Sequence, residues 1–230
     1  MNARRSAAIV GVLLLLGFQP SIAAEDESAF ERALSFFQRG DFDSAIGACS
    51  EAIRFDAKFG EAYALRGGAY FAKGEFDTAI ADFTQAIRLD PKNAEGYYNR
   101  GLAYEYKGEL DKAIADFSDA IRLDPKHAHA HMNRGIAFGQ KGDFDKAIAD
   151  CTEAIRLRPK DGKAYYNRGM GYELKGHVDK AIADFNEAIR LSPKLRQAYL
   201  ARGRAFQRKG EKAKAEADFA RAKELGHKAQ

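Results

Sequence analysis

The chain has no tryptophan, two cysteines and three methionines among its 230 residues. Without tryptophan, the large core anchors must come from tyrosine and phenylalanine. Two cysteines cannot build the disulfide scaffold of a small secreted domain. Charge of one sign is also scarce. The formal balance of +4 falls to +2 without Arg4 and Arg5, too little to argue for nucleic acid. No phosphate-cradling loop, nucleophile–base set or metal-ligand quartet can be assembled from the motifs, so no catalytic residue, cofactor or metal is expected. The main apolar run, Ala7 to Phe18, is about 12 residues against the ~20 needed to cross a bilayer.

That run belongs to a leader. Arg4 and Arg5 make a positive start, the apolar stretch follows, and Pro20-Ser21-Ile22-Ala23-Ala24 gives a small-residue exit before Glu25-Asp26-Glu27. This is the pattern of a secretory signal peptide over 1–24, cleaved after Ala23 or Ala24. No cysteine stands at the exit, which argues against a lipoprotein anchor. The mature protein is expected outside the cytoplasm, in a periplasm, with no integral membrane span after cleavage.

What is abundant is repetition. From Asp26 to Ala229 one 34-residue unit recurs six times without insertion, as 26–59, 60–93, 94–127, 128–161, 162–195 and 196–229. A fixed period of this length means stacked supersecondary units. In the third copy Tyr97, Gly101 and Tyr104 share one helical face, and Ala113, Phe117, Ala120 and Ile121 form a second stripe at helical spacing. Gly108 stops the first helix and Pro125 closes the second. Two such helices cannot bury both faces alone, so each hairpin must lean on its neighbours.

Tyr97, Gly101, Tyr104, Ala113, Phe117, Ala120 and Pro125 resemble the signature of the tetratricopeptide repeat family. The resemblance implies an all-α, right-handed superhelical solenoid of six helix-turn-helix repeats. Its first helices would line a concave groove that receives a protein or peptide partner, and no enzymatic activity is implied. The first copy departs from the pattern at Ala29, Ala33 and Ala57, as an end repeat can. The sixth carries Lys212, Glu216 and Lys223 where others have apolar residues, which predicts a charged, self-capping last helix.

Two further rows recur. The residue before the glycine is arginine in every copy (Arg32, Arg66, Arg100, Arg134, Arg168, Arg202), where family members more often place an apolar residue. Asp82, Asp116, Asp150, Asp184 and Asp218 recur in the second helix, and the first copy has Ala48 there. Antiparallel pairing predicts a partly buried Arg–Asp pair in each copy that fixes helix register. Asn99, Asn133 and Asn167 lie 34 apart on the expected groove face. First helices at most ~10 Å apart and ~3.3 Å per residue of extended peptide would let one amide meet every third residue. This resembles the asparagine rows of some grooves of the family.

The expected peptide-binding set is Asn99, Asn133 and Asn167 on the partner backbone, with Tyr98, Leu102, Met132, Ile136, Tyr166 and Met170 as floor and anchors. Phe30, Leu34 and Tyr106 belong to the same face, and about half of these apolar residues should be wedged between helices instead. The carboxylate clamp of the family needs Lys and Asn where this chain has Tyr98 and Leu102, which disfavours chaperone C-terminal tails. His127, His129 and His131 invite a metal site, but His131 fills the slot of Tyr97 and Tyr165 and reads as a core aromatic. Cys49 and Cys151, three repeats and so ~30 Å apart, read as buried free thiols. The edge series Glu27, Glu61, Glu95, His129, Lys163, Gln197 runs from acidic to basic. The last copy gathers Arg202, Arg204, Arg208, Lys209, Lys212 and Lys214, suited to an acidic partner or an anionic surface. The alternative function is self-assembly or envelope-complex assembly through convex or end surfaces.

Overall fold

A computed structural model describes residues 24–227; apart from Ala24, the leader lies outside the described residues. These residues form twelve α-helices and no strand. The first unit contains α1 (Ala24–Gln38), α2 (Phe42–Phe55), α3 (Gly60–Lys73), α4 (Phe76–Leu89), α5 (Ala94–Lys107) and α6 (Leu110–Leu123). The second contains α7 (Ala128–Gln140), α8 (Phe144–Leu157), α9 (Gly162–Leu174), α10 (Val178–Leu191), α11 (Arg196–Arg208) and α12 (Lys212–His227). None of these helices is long and apolar enough to cross a membrane.

Each unit is a stack of three hairpins. In the first, α2 packs on α3 and α4 on α5, while α1, α3 and α5 also touch in sequence; the second repeats the scheme from α7 to α12. The third hairpin shows the local logic. Ala113, Asp116, Phe117 and Ala120 are the buried stripe of α6, so a carboxylate sits inside an otherwise apolar seam. At the end of α5, Gly108 takes φ +79°, where a β-carbon would be strained. Its N–H donates to the Glu105 carbonyl and that of Glu109 to Tyr104, closing a Schellman motif. The same glycine recurs with φ between 77° and 85° in the other five hairpins.

Close approach explains the second glycine. A β-carbon on Gly101 would lie 2.8 Å from the Phe117 ring, and on Gly169 it would lie 2.7 Å from Phe185. The fully buried phenylalanine needs that space, and its burial stabilises the hairpin by about 2–3 kcal/mol. The first hairpin solves the problem in reverse: Ala33 replaces the glycine and the smaller Cys49 replaces the ring, and both are fully buried.

The two outer hairpins end in polar faces. Ser28 and Ser35 stand in α1 where later first helices carry buried Ala62 and Ala69, and both serines are exposed. Lys212, Glu216 and Lys223 of α12 are exposed as well.

Candidate functional site

The arginine row acts as a staple. In the first unit, Arg100 donates from Nε and Nη2 to the Asp116 carboxylate, both at 2.8 Å, and from Nη1 to the Thr84 hydroxyl at 3.1 Å. Arg66 treats Asp82 (2.7 and 2.8 Å) and the Ser50 hydroxyl (3.0 Å) in the same way. In the second unit Arg168 reaches Asp184 and Thr152, and Arg202 reaches Asp218 and Asn186. Arg134 makes the paired contact to Asp150 at 2.7 and 2.8 Å. One guanidinium therefore joins its own second helix to the second helix of the preceding hairpin. The hydroxyl is oriented for this, because Ser50 and Thr84 donate to the carbonyls of Ile46 and Ile80, each at 2.7 Å.

Hydrogen bonding to Asp82, Asp116 and Asp184 raises the pKa values of Arg66, Arg100 and Arg168 against the opposing effect of burial. Burial pushes the Asp150 carboxyl up, but hydrogen bonds from Arg134 and His131 outweigh it and hold it below the usual aspartate value. Rings flank the charge: Tyr97 lies 5.7 Å from the Arg100 guanidinium and Tyr165 5.7 Å from that of Arg168. In the first hairpin, which has Ala48 instead of aspartate, Arg32 pairs with Glu51 at 2.5 Å in the open.

A second, exposed ladder escaped the sequence reading. Lys73 pairs with Asp43 at 2.7 Å, Lys107 with Asp77 at 2.6 Å and Lys209 with Asp179 at 2.6 Å; Lys175 pairs with Asp145. Each pair joins the C-terminal end of a first helix to the first turn of the preceding second helix. The signal was available as an aspartate 30 residues before each lysine.

The expected groove residues are largely packed. In the first unit Tyr98 is buried with its ring 5.9 Å from Phe117, and Leu102 is buried too. Phe30 lies 4.7 Å from Phe59 and Leu34 packs on the same cluster. Tyr106 is held between Phe71 (5.1 Å) and Phe76 (5.4 Å). In the second unit Met132 packs on Ala154, Ile155 and Ala164, while Tyr166 and Met170 pack on Ala181, Phe185, Ala201 and Ala205. Ile136 is half-buried. Asn133 and Asn167 are half-buried on α7 and α9, which touch each other; Asn99 belongs to α5 of the first unit and is 6% exposed. The Asn99 and Asn167 amides form no hydrogen bond among the described residues.

The histidines part company. His127 precedes α7 and its Nδ1 accepts from the Ala130 N–H at 3.2 Å, His129 contacts Arg158, and His131 is buried 3.5 Å from Asp150. Among the described residues, no group of three His, Cys, Asp or Glu is placed to hold a metal ion. Cys49 and Cys151 are free, buried thiols, each pushed up to about 12 by burial. The basic C-terminal gathering is mostly neutralised: Arg202 by Asp218, Lys209 by Asp179 and Lys214 by Glu211, with Arg208 3.9 Å from the Glu173 carboxylate. Arg204 and Lys212 are exposed and form no ion pair among the described residues.

A TPR repeat model matches residues 67–108, and a tetratricopeptide repeat model matches 98–162, 132–195 and 166–229. A crystal structure of MamA is 31% identical, covers 71% of this chain and 95% of its own, and superposes with a TM-score of 0.65. A tetratricopeptide repeat protein from Parabacteroides merdae ATCC 43184 is 25% identical over 85% of this chain and 78% of its own, with a TM-score of 0.73. YrrB, described as a TPR protein with an unusual peptide-binding site, shares the fold at 22% identity over 79% of this chain and 93% of its own, with a TM-score of 0.64. No curated protein matches the chain.

Proposed function

The chain belongs to the tetratricopeptide repeat family, and on that premise we propose that it is a non-enzymatic, exported scaffold that holds a peptide segment of a partner protein against its first helices. The observation that carries this reading is the asparagine row. The Asn99 amide meets no protein group among the described residues although the residue is 6% exposed, and the amide of half-buried Asn167 is likewise unengaged in the second unit. Such an amide, open to solvent but not engaged by the fold, can exchange water for a peptide backbone without breaking a protein hydrogen bond. A peptide backbone supplies what an amide needs, one carbonyl to accept and one N–H to donate. The neighbouring apolar groups are already fixed by packing, which gives a preorganised floor and a low entropic cost of binding.

The assembly alternative through end surfaces finds less support. The outer faces of the first and last hairpins carry serine or charge where internal hairpins carry apolar residues. Export by the leader over 1–24 is part of the same proposal, tested by N-terminal sequencing of the protein recovered from the extracytoplasmic fraction. The binding reading is tested with the full chain as bait beside an Asn99/Asn133/Asn167→Ala variant of unchanged circular dichroism. Partners retained by the wild type and lost by the variant are expected. Equal retention by both would move recognition away from the first helices.

A further inference from the structure

The face shared by α9 and α11 in the second unit has a composition of its own. Gly169 of α9 meets Phe185 of α10, and Gly171 meets Ile148 of α8, so the remaining face of α9 presents Lys163, Asn167, Met170 and Leu174. In α11, Gly203 meets Phe219 of α12 and Ala205 faces the α10 cluster, which leaves Leu200, Arg204 and Arg208. The two faces adjoin, because Arg208 donates to the Glu173 carbonyl at 3.4 Å.

Leu174 is 56% exposed, the most exposed of the large apolar side chains among the described residues. Arg208 reaches this end of α9 at Glu173, Arg204 lies one turn before Arg208 on α11, and Lys163 stands in the first turn of α9. The carboxylate on this face, Glu173, is buried and already within 3.9 Å of Arg208. Lys163 and Arg204 have no acid to answer them among the described residues. At the positions corresponding to Lys163 the first unit has Glu61 and Glu95, and at those corresponding to Arg204 and Arg208 it has uncharged residues such as Leu102 and Tyr106. The excess of cation therefore belongs to one face and is not a property of every hairpin.

Resting on the peptide-binding reading above, we propose that the α9–α11 face selects an acidic segment of a partner protein: an aliphatic anchor beside Leu174 and Met170, followed by a carboxylate that Arg204 receives. A guanidinium presents a fork of N–H donors that matches a carboxylate with two parallel bonds. Exposed Arg204 holds no bond that must first be broken, so the contact is made without disturbing the staples. An aliphatic anchor covers exposed apolar surface, and the cations at the rim discriminate by sign and accelerate encounter.

The test is selection of random 12-residue peptides displayed on phage against the immobilised full chain, its Arg204→Gln variant and its Arg204→Lys variant. Wild type is expected to enrich peptides with Asp or Glu beside Leu, Ile or Phe. Arg204→Gln should abolish the acidic bias and weaken a selected acidic peptide about tenfold, as for loss of a charge-assisted hydrogen bond. Arg204→Lys should keep the bias with lower affinity. Binding should weaken further at 0.5 M salt, where screening shortens to a few ångströms. Peptides enriched without acidic bias, or an acidic bias that survives Arg204→Gln, would overturn the proposal and leave the groove reading standing. No enrichment by any form would overturn both. Vesicles containing anionic lipid are run in parallel. Arg204-dependent vesicle binding without peptide enrichment would assign the face to a membrane surface and overturn the peptide proposal.

Discussion

Replacing Asp116 by alanine is the sharpest probe of the arginine staple. Asp116 is 5% exposed and receives two N–H···O bonds from Arg100 at 2.8 Å, while the Arg100 side chain is 18% exposed. Without the carboxylate the guanidinium keeps one neutral partner, the Thr84 hydroxyl at 3.1 Å, and must find water through a narrow opening. Breaking a buried pair costs ~3–5 kcal/mol. Partial solvent access to Arg100 places this case at the lower end, about 3 kcal/mol. In urea, with a slope of about 2–3 kcal/mol/M, the midpoint should fall by about 1 M. Glu51→Ala is the internal control, since Arg32 and Glu51 have side chains 48% and 38% exposed and such pairs contribute ~0–1 kcal/mol. Urea unfolding of the full chain, followed by far-ultraviolet circular dichroism, compares them directly. A loss below ~1 kcal/mol for Asp116→Ala, or one equal to that of Glu51→Ala, would refute the claim that burial makes the pair matter.

Further outcomes are expected from the same physics. Gly101→Ala places a methyl group 2.8 Å from Phe117 and should destabilise by about 1–3 kcal/mol; adding Phe117→Cys, the combination of the first hairpin, should show favourable coupling in a double-mutant cycle of urea midpoints. Asp150 has its pKa lowered in the fold, so its stabilisation is complete above the unfolded value of about 4 and is lost as pH falls through the lower folded value. Asp150→Asn should therefore flatten the acid limb of the stability curve, measured by thermal melts from pH 6 to pH 2. Cys49 and Cys151, each pushed up to about 12, should resist a disulfide-exchange thiol reagent at pH 8 and react together when urea unfolds the chain.

Much of this was legible in the sequence because the information is periodic. The glycine at the turn, the glycine under the phenylalanine ring, and the arginine that returns with its aspartate each recur at one place in the period, and the structure joins them as pairs. The hydroxyl row was less visible. Ser50, Thr84 and Thr152 read as ordinary polar positions until an arginine 16 residues on is seen to reach them. The groove was the least legible. A residue such as Tyr106 has the exposure pattern of a binding floor on a helical wheel. What holds it are Phe71 and Phe76 of the preceding hairpin, and a wheel drawn for one helix contains neither. The histidine cluster dissolves for a related reason: His127 lies before the first turn and caps it, so the spacing of a helical face does not apply to it, while His131 is buried as a core aromatic would be.

The staple makes the repeat a grammatical unit. Arg66, Arg100 and Arg168 each look backward to a hydroxyl of the preceding hairpin, Ser50, Thr84 or Thr152, and each pairs with an aspartate of its own hairpin. A duplicated copy of such a hairpin, inserted beside its parent, would therefore find every bond it needs already on offer. The sixth copy has lost the forward-facing part, with Ala213 in place of the ladder aspartate and Ala220 in place of the hydroxyl. Copies could multiply in the interior of such an array with little penalty, whereas copies of the sixth would leave the next arginine and lysine unanswered.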